Sequence, residues 1–173
     1  MKNLCINGTA ITNSYHESGN IEKFGPDNAF DKTIASGYAS HSFTGRNTPY
    51  IAYHFTKAVK ILRIHLTQGS SSSISEYGKN LYVIYSDNGT EWINAKYVMN
   101  LPCGYSEIEL EDYGNHEYWG LQLRENVDGI NSDYPWQVKE LEMYGNSQTK
   151  DLIKDKILNH KLIQKYLIPY GEE

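Results

Sequence analysis

An all-β sandwich is the fold class this sequence predicts, on three observations. Between Asn3 and Gly145 the apolar residues come in short runs broken by Gly, Asn, Asp and Ser, which is the spacing of many strands rather than of helices. Two runs alternate: Leu62, Ile64 and Leu66 against Arg63, His65 and Thr67, and Leu121 and Leu123 against Gln122 and Arg124, as strands with one buried face require. A third run, Leu81 to Tyr85, is apolar on both sides and leads into Ser86-Asp87-Asn88-Gly89-Thr90-Glu91-Trp92. Its Asn-Gly pair tolerates positive φ, so a central strand feeding a tight hairpin is expected there.

Size and composition fit one such domain with an appendage. A chain of 173 residues buries roughly two thirds of its unfolded surface in a single core. Charged residues make up 21% and apolar ones 39%, the balance of an ordinary globular protein. Fifteen tyrosines stand out; each offers a flat apolar face and a polar tip with few rotatable bonds, suited to sheet faces and recognition loops alike. From Gln148 onward five lysines face two aspartates and two glutamates, a net +1, so the rest of the chain carries −6 of the total −5. A body that acidic has no basic patch to neutralise phosphates, which argues against nucleic acid as a partner.

Past Gly145 the pattern changes. Asn146 to Lys150 is polar, and Asp151 to Ile168 loses the β alternation and reads as a helix stopped by Pro169. Lys150, Lys154, Lys161 and Lys165 share a narrow stripe, leaving a wide apolar face that must be covered by the sandwich, a second copy or another protein. The expected division is a β-sandwich over 1–146 and a linker with a C-terminal helix over 147–173. No apolar run approaches the ~18 residues that span a bilayer, and the polar start Met1-Lys2-Asn3 lacks a signal peptide's apolar stretch. No loop sets exposed apolar spikes beside basic residues, so membrane insertion is not expected. Cys5 and Cys103 show no metal-type spacing and read as two unpaired thiols.

Six segments, in order, resemble one family. Asn3-Leu4 with Gly8 to Ser14 is similar to its opening strand. Asn28-Ala29-Phe30-Asp31 resembles its Asn-Ala-apolar-Asp-Gly corner, and Tyr38-Ala39-Ser40 stands where Trp-x-Ser is usual. Tyr50-Ile51-Ala52-Tyr53-His54-Phe55 looks like its next strand, Ser86 to Trp92 its Ser-x-Asp-Gly-x-x-Trp hairpin, and Lys139 to Gly145 its closing strand. Together they resemble the discoidin, or coagulation factor 5/8 type C, domain of the galactose-binding-like class, which includes carbohydrate-binding module family 32. The resemblance implies a jelly-roll β-sandwich that holds a ligand on loops at one end. It also implies an extracellular or surface module of a larger protein, of the sort used in cell adhesion.

A structural Ca²⁺ beneath those loops is common in the carbohydrate-binding branch. Position by position, the resemblance assigns Asp31 and Glu140 as carboxylate ligands, Ser36 as hydroxyl and carbonyl ligand, and the carbonyls of Asn28 and Lys139. A hard cation with six to eight oxygen ligands suits such a set. Lys32 replaces the usual Gly and Thr33 an Asp or Asn ligand, which weakens the match. Without a cation, Asp31 would cap its turn and Glu140 would pair with a cation or a backbone amide.

Ligand contacts in the family come from loops at the same end, here Ser40 to Asn47, Gln68 to Lys79 and Asn126 to Trp136. A sugar needs a flat ring against its C–H groups and a few donors and acceptors for its hydroxyls. The loops offer His41, Phe43 and Arg46, then Gln68, Glu76 and Tyr77, then Asn131, Asp133, Tyr134 and Trp136. Each has a structural reading beside it: Trp136 as an inward anchor for the last strand, Phe43 as a loop plug, Tyr77 as a hairpin cover, Arg46 as a partner for the acidic body. Many galactose-binding relatives carry an Arg and then an Asn where Gln68-Gly69-Ser70-Ser71 stands, so galactose specificity does not carry over.

No nucleophile elbow, phosphate loop, His-Glu-x-x-His or paired zinc cysteines are present. His54 and His65 fall on strands, and Glu107, Glu109 and Glu111 read as one wet strand face. The expected function is therefore a non-catalytic, lectin-like module for glycans or a polysaccharide. Its rival is a protein interaction or assembly module, like intracellular and phage-structural relatives, using the loops or the C-terminal helix to reach a partner protein or its own copy.

Overall fold

The computed structural model describes residues 1–16, 21–39, 48–69, 76–126 and 135–147. The expected C-terminal helix lies outside the described residues, the last of which is Ser147. Among the described residues nine strands follow in chain order: β1 (Lys2–Asn3), β2 (Thr9–Thr12), β3 (Tyr38–Ala39), β4 (Tyr50–Gln68), β5 (Gly78–Ser86), β6 (Ile93–Val98), β7 (Gly104–Glu109), β8 (His116–Asn126) and β9 (Gln137–Ser147). A short helix α1 (Ile21–Phe24) and a 3-10 turn (Pro26–Ala29) lie between β2 and β3.

All the pairings are antiparallel, and β4 organises them. Its first part, Tyr50 to His54, pairs with β2 and β8, and β8 continues to β5 and β6. Its second part, Val59 to Gln68, pairs with β7 and β9, and β9 carries β1 and β3. One strand thus runs through both layers of the jelly-roll sandwich, bending where the ladder with β8 breaks between His54 and Val59. Sequence alternation suggests two strands here; the exposed Thr56-Lys57 pair is the bend inside a single one.

Between the layers lie Ile51, Leu81, Leu121 and Leu123 from one side and Ile61, Ile64, Leu66 and Leu141 from the other, each at 0% exposure. Leu62 departs from the expected alternation. The β4–β9 ladder slips between Ile61 and Arg63, so Leu62 is the extra residue of a bulge and is only partly buried. Glu107 and Glu109 are exposed on β7 as expected, whereas Glu111 lies beyond the end of that strand.

The hairpin from β5 to β6 is where the sequence puts it. Gly89 has φ 73°, and Asn88 Oδ1 accepts the amides of Thr90 and Glu91, both at 2.9 Å. His54 and His65 are sheet-face residues, the first stacked on Tyr118 at 4.2 Å and the second 4.4 Å from the Tyr144 ring. Cys5 and Cys103 are free thiols, and burial pushes Cys5 up to about 12.

Candidate functional site

The ends of β4 and the starts of β5 and β9 meet at one end of the sandwich, joined by one side chain. The Gln68 amide nitrogen donates to the Gly78 carbonyl (2.9 Å) and the Pro102 carbonyl (3.2 Å). Its oxygen accepts the Gly78 amide (3.0 Å) and the Trp136 indole N–H (2.9 Å). Two backbone bonds extend the join, Gly69 N–H to the Gln137 carbonyl at 2.9 Å and Gln137 N–H to the Glu76 carbonyl at 2.8 Å. Three segments far apart in sequence thereby form one rim.

Gln68 and Trp136 are consequently not available as sugar contacts, contrary to the expectation from sequence. Gln68 is 1% exposed and Trp136 0%. The indole meets the buried Tyr38 ring edge-on at 6.3 Å. Strand parity carried the signal. Gln68 continues the inward face of Ile64 and Leu66, and Trp136 shares its face with Val138. Glu76 and Tyr77 are partly exposed at the rim, with Tyr77 beside Gly69. His41, Phe43, Arg46, Asn131, Asp133 and Tyr134 lie outside the described residues.

A second cluster forms where the 31–36 loop meets β9. The ladder between β4 and β9 slips between Thr67 and Gln68, leaving Lys139 as an extra residue and moving Glu140 off the regular inward alternation. The backbone amides of Lys32 and Thr33 face Glu140 and favour its ionised form. Asp31 Oδ1 accepts the Thr33 amide at 3.0 Å, and the Ser36 hydroxyl donates to Asp31 Oδ2. Asn28 sits on the 3-10 turn, which packs against β9, and its side-chain amide donates to the Glu22 carbonyl at 2.9 Å. The cleft lined by Lys32, Thr33, Ile34, Glu140 and Glu142 has a volume of about 380 Å³.

The electrostatics of this cluster are unbalanced. Burial, then the neighbouring carboxylates of Asp31 and Glu142, push Glu140 up to about 7 from its ordinary 4.5, against the two backbone amides that favour its ionised form. Its Oε2 is buried with no hydrogen-bond partner. Among the described residues no three His, Cys, Asp or Glu side chains converge as ligands for one ion. The side-chain donors of this cluster are the carboxylates of Asp31 and Glu140 and the Ser36 hydroxyl, all oxygen, a type that suits a hard cation and not zinc or copper. Lys32, at the position where the resemblance has Gly, adopts φ 66°, so the chain keeps the left-handed turn without the residue that favours it.

No protein-family model matches this sequence, and no curated protein matches it. Solved structures do. Chitosan-binding module 1 of a Paenibacillus sp. IK-5 chitosanase/glucanase superposes with a TM-score of 0.67 at 21% identity, covering 84% of this chain and 100% of that one. Module 2 of the same enzyme, in complex with chitotriose, gives 0.66 at 18% identity, covering 83% of this chain and 100% of that one. A family 32 carbohydrate-binding module of Clostridium perfringens, in complex with GalNAc-β-1,3-galactose, gives 0.67 at 13% identity with coverage of 83% and 100%. At these identities the likeness is one of architecture: the chain is built on the discoidin-like, galactose-binding β-sandwich fold.

Proposed function

We propose that this chain is a non-catalytic carbohydrate-binding module, reading glycans with the rim at the Gln68 end of the sandwich. The observation that carries the reading is the fastening of that rim. One buried amide ties the ends of β4, β5 and β9 together, so Glu76, Tyr77 and the strand ends beside them share a preorganised platform, as a small ligand requires. Solved modules of the same fold, with chitotriose or GalNAc-β-1,3-galactose bound, support glycans as the ligand class. Tyr77 and Glu76 supply a ring and a carboxylate at the rim, joined in this reading by His41, Phe43, Arg46, Asn131 and Tyr134.

The same reading gives Ca²⁺ a structural role. Asp31, Glu140, the Ser36 hydroxyl and the carbonyls of Asn28 and Lys139 would hold it. Bound there, the ion would neutralise two mutually repelling carboxylates and pin the 31–36 loop to β9. Calorimetric titration of chelator-treated protein with Ca²⁺ tests this part, and no heat with an unchanged melting temperature would refute it.

For the glycan, tetramerised protein on a broad glycan array is the direct test, since a shallow rim gives weak single-site affinity that several copies amplify. Sugar hits that disappear in Tyr77→Ala and His41→Ala are the expected result. An array without hits would turn the reading toward a protein assembly module.

A further inference from the structure

The outer face of the β2–β4–β8–β5–β6 layer is aromatic where the solvent face of an antiparallel sheet is ordinarily polar. Register sets Tyr50 of β4 opposite Gln122 of β8, Gln122 opposite Tyr82 of β5, and Tyr82 opposite Tyr97 of β6. These four side chains form a row across the strands, three interstrand steps or about 14 Å long. The Tyr82 and Tyr97 rings lie 4.8 Å apart and 34° from coplanar. At the other end the Tyr50 ring lies 4.8 Å from that of Trp92, which returns from the hairpin to sit between Tyr50 and Tyr118.

Next to this row the face is low at β4 and β8, where Ala52 and Gly120 stand, and rises again at the buried Ile84 of β5. A Cβ on Gly120 would stand 2.5 Å from that of Ala52, so nothing larger fits between β4 and β8 at the middle of this face. Tyr97 is 42% exposed on the edge strand. A cross-strand ring pair stabilises a sheet by only about 0.2–1 kcal/mol, and half-exposed rings on an edge gain less from burial. The row contains three phenols and an amide and no residue charged at neutral pH, on a body that is otherwise acidic. It offers no charge for an ionic partner to complement. It does offer flat faces for sugar C–H groups and a hydroxyl or amide beside each for sugar hydroxyls.

We propose that this row is a second glycan site, distinct from the rim: an extended, uncharged oligosaccharide lies across the strands with successive sugars on Tyr97, Tyr82 and Tyr50 and a hydroxyl bonded to Gln122. The site deepens the carbohydrate-binding reading and rests on it. Tyr50 to Tyr97 spans more than one or two sugars, so the row favours long chains, whereas a rim site reads a terminus.

Calorimetry with chitobiose and chitohexaose in their fully N-acetylated, uncharged forms, on wild type and on Tyr97→Ala, Gln122→Ala and Tyr77→Ala, separates the two. Chitohexaose is expected to bind wild type more tightly than chitobiose, and Tyr97→Ala to weaken the hexaose about tenfold, the factor for ~1.4 kcal/mol. Tyr97→Ala removes a half-exposed ring from an edge strand, and an unchanged melting temperature shows that the sheet persists; Gln122→Ala reads the same site without touching a ring. Hexaose binding that is absent, or that neither variant changes, overturns the row. A loss confined to Tyr77→Ala would keep the rim reading and end this one, and a loss confined to Tyr97→Ala and Gln122→Ala would do the reverse.

Discussion

Two corners of the molecule, both read from the sequence as ligand contacts, differ in what they leave unpaired. At the Gln68 corner the amide makes four hydrogen bonds, two as donor and two as acceptor, and the Trp136 indole N–H is one of them. That is the full capacity of the side chain. At the Asp31–Glu140 corner two carboxylates repel each other, and Glu140 Oε2 is buried with no partner. Residue type did not separate these cases, since amides and indoles bind sugars as well as carboxylates bind cations. Hydrogen-bond accounting does: the first corner is a fastener complete within the chain, and the second has room for something from outside.

The largest effect that could break this contrast belongs to Trp136. Trp136→Ala should cost about 3–5 kcal/mol, the range for emptying a buried aromatic site, read as a lower urea midpoint in the absence of any sugar. A variant of unchanged stability that had lost only glycan binding would make Trp136 a contact and dissolve the distinction. Next is Gln68→Ala, which leaves the Gly78 amide and the indole N–H buried without acceptors. About 1–3 kcal/mol for an unsatisfied buried group is expected, again independent of ligand.

The second corner should respond to pH and cation instead. In chelator-treated protein Glu140 sits at about 7 against an ordinary 4.5, so the folded state holds a proton that the unfolded state releases between those values. Stability should therefore fall as pH rises from about 4.5 to about 7 and stay reduced above it. Glu140→Gln should flatten that slope, and Ca²⁺ should raise the wild-type melting temperature more at pH 7.5 than at pH 5. Parallel melting curves for wild type and Glu140→Gln across this window would show that the carboxylate is not strained and that the corner is as complete as the other.

How much of this was legible in the sequence follows from what alternation can and cannot encode. The Asn88-Gly89 turn and the Leu121–Leu123 strand could be read directly, because the local chemistry decides them. Leu62 and Glu140 could not: each lies at a slip of the β4–β9 ladder, and an inserted residue reverses parity without leaving a mark in composition. Gln68 and Trp136 are legible in the inward parity each shares with its strand, as the anchor reading of Trp136 has it, although both also stand next to a loop that a ligand could reach. The tyrosine row is of a third kind. Tyr50, Tyr82 and Tyr97 lie in unremarkable strands, and only the register of four strands brings them into line.

The smallest effect sharpens the comparison most narrowly. Lys32 holds φ 66° at the lip of the carboxylate cleft. A left-handed conformation costs a residue with a Cβ about 1–2 kcal/mol, whereas glycine's extra freedom in the unfolded chain takes back about 0.5–1. Lys32→Gly should therefore stabilise the protein by only about 0.5 kcal/mol, near the limit of a melting experiment. It should also take a cationic residue out of the lining of that cleft, so Ca²⁺ binding should strengthen by more than the stability changes. A variant that gained stability while neither it nor the wild type bound Ca²⁺ would mean that the strain at Lys32 belongs to the turn alone, and the second corner would lose its claim to an outside partner.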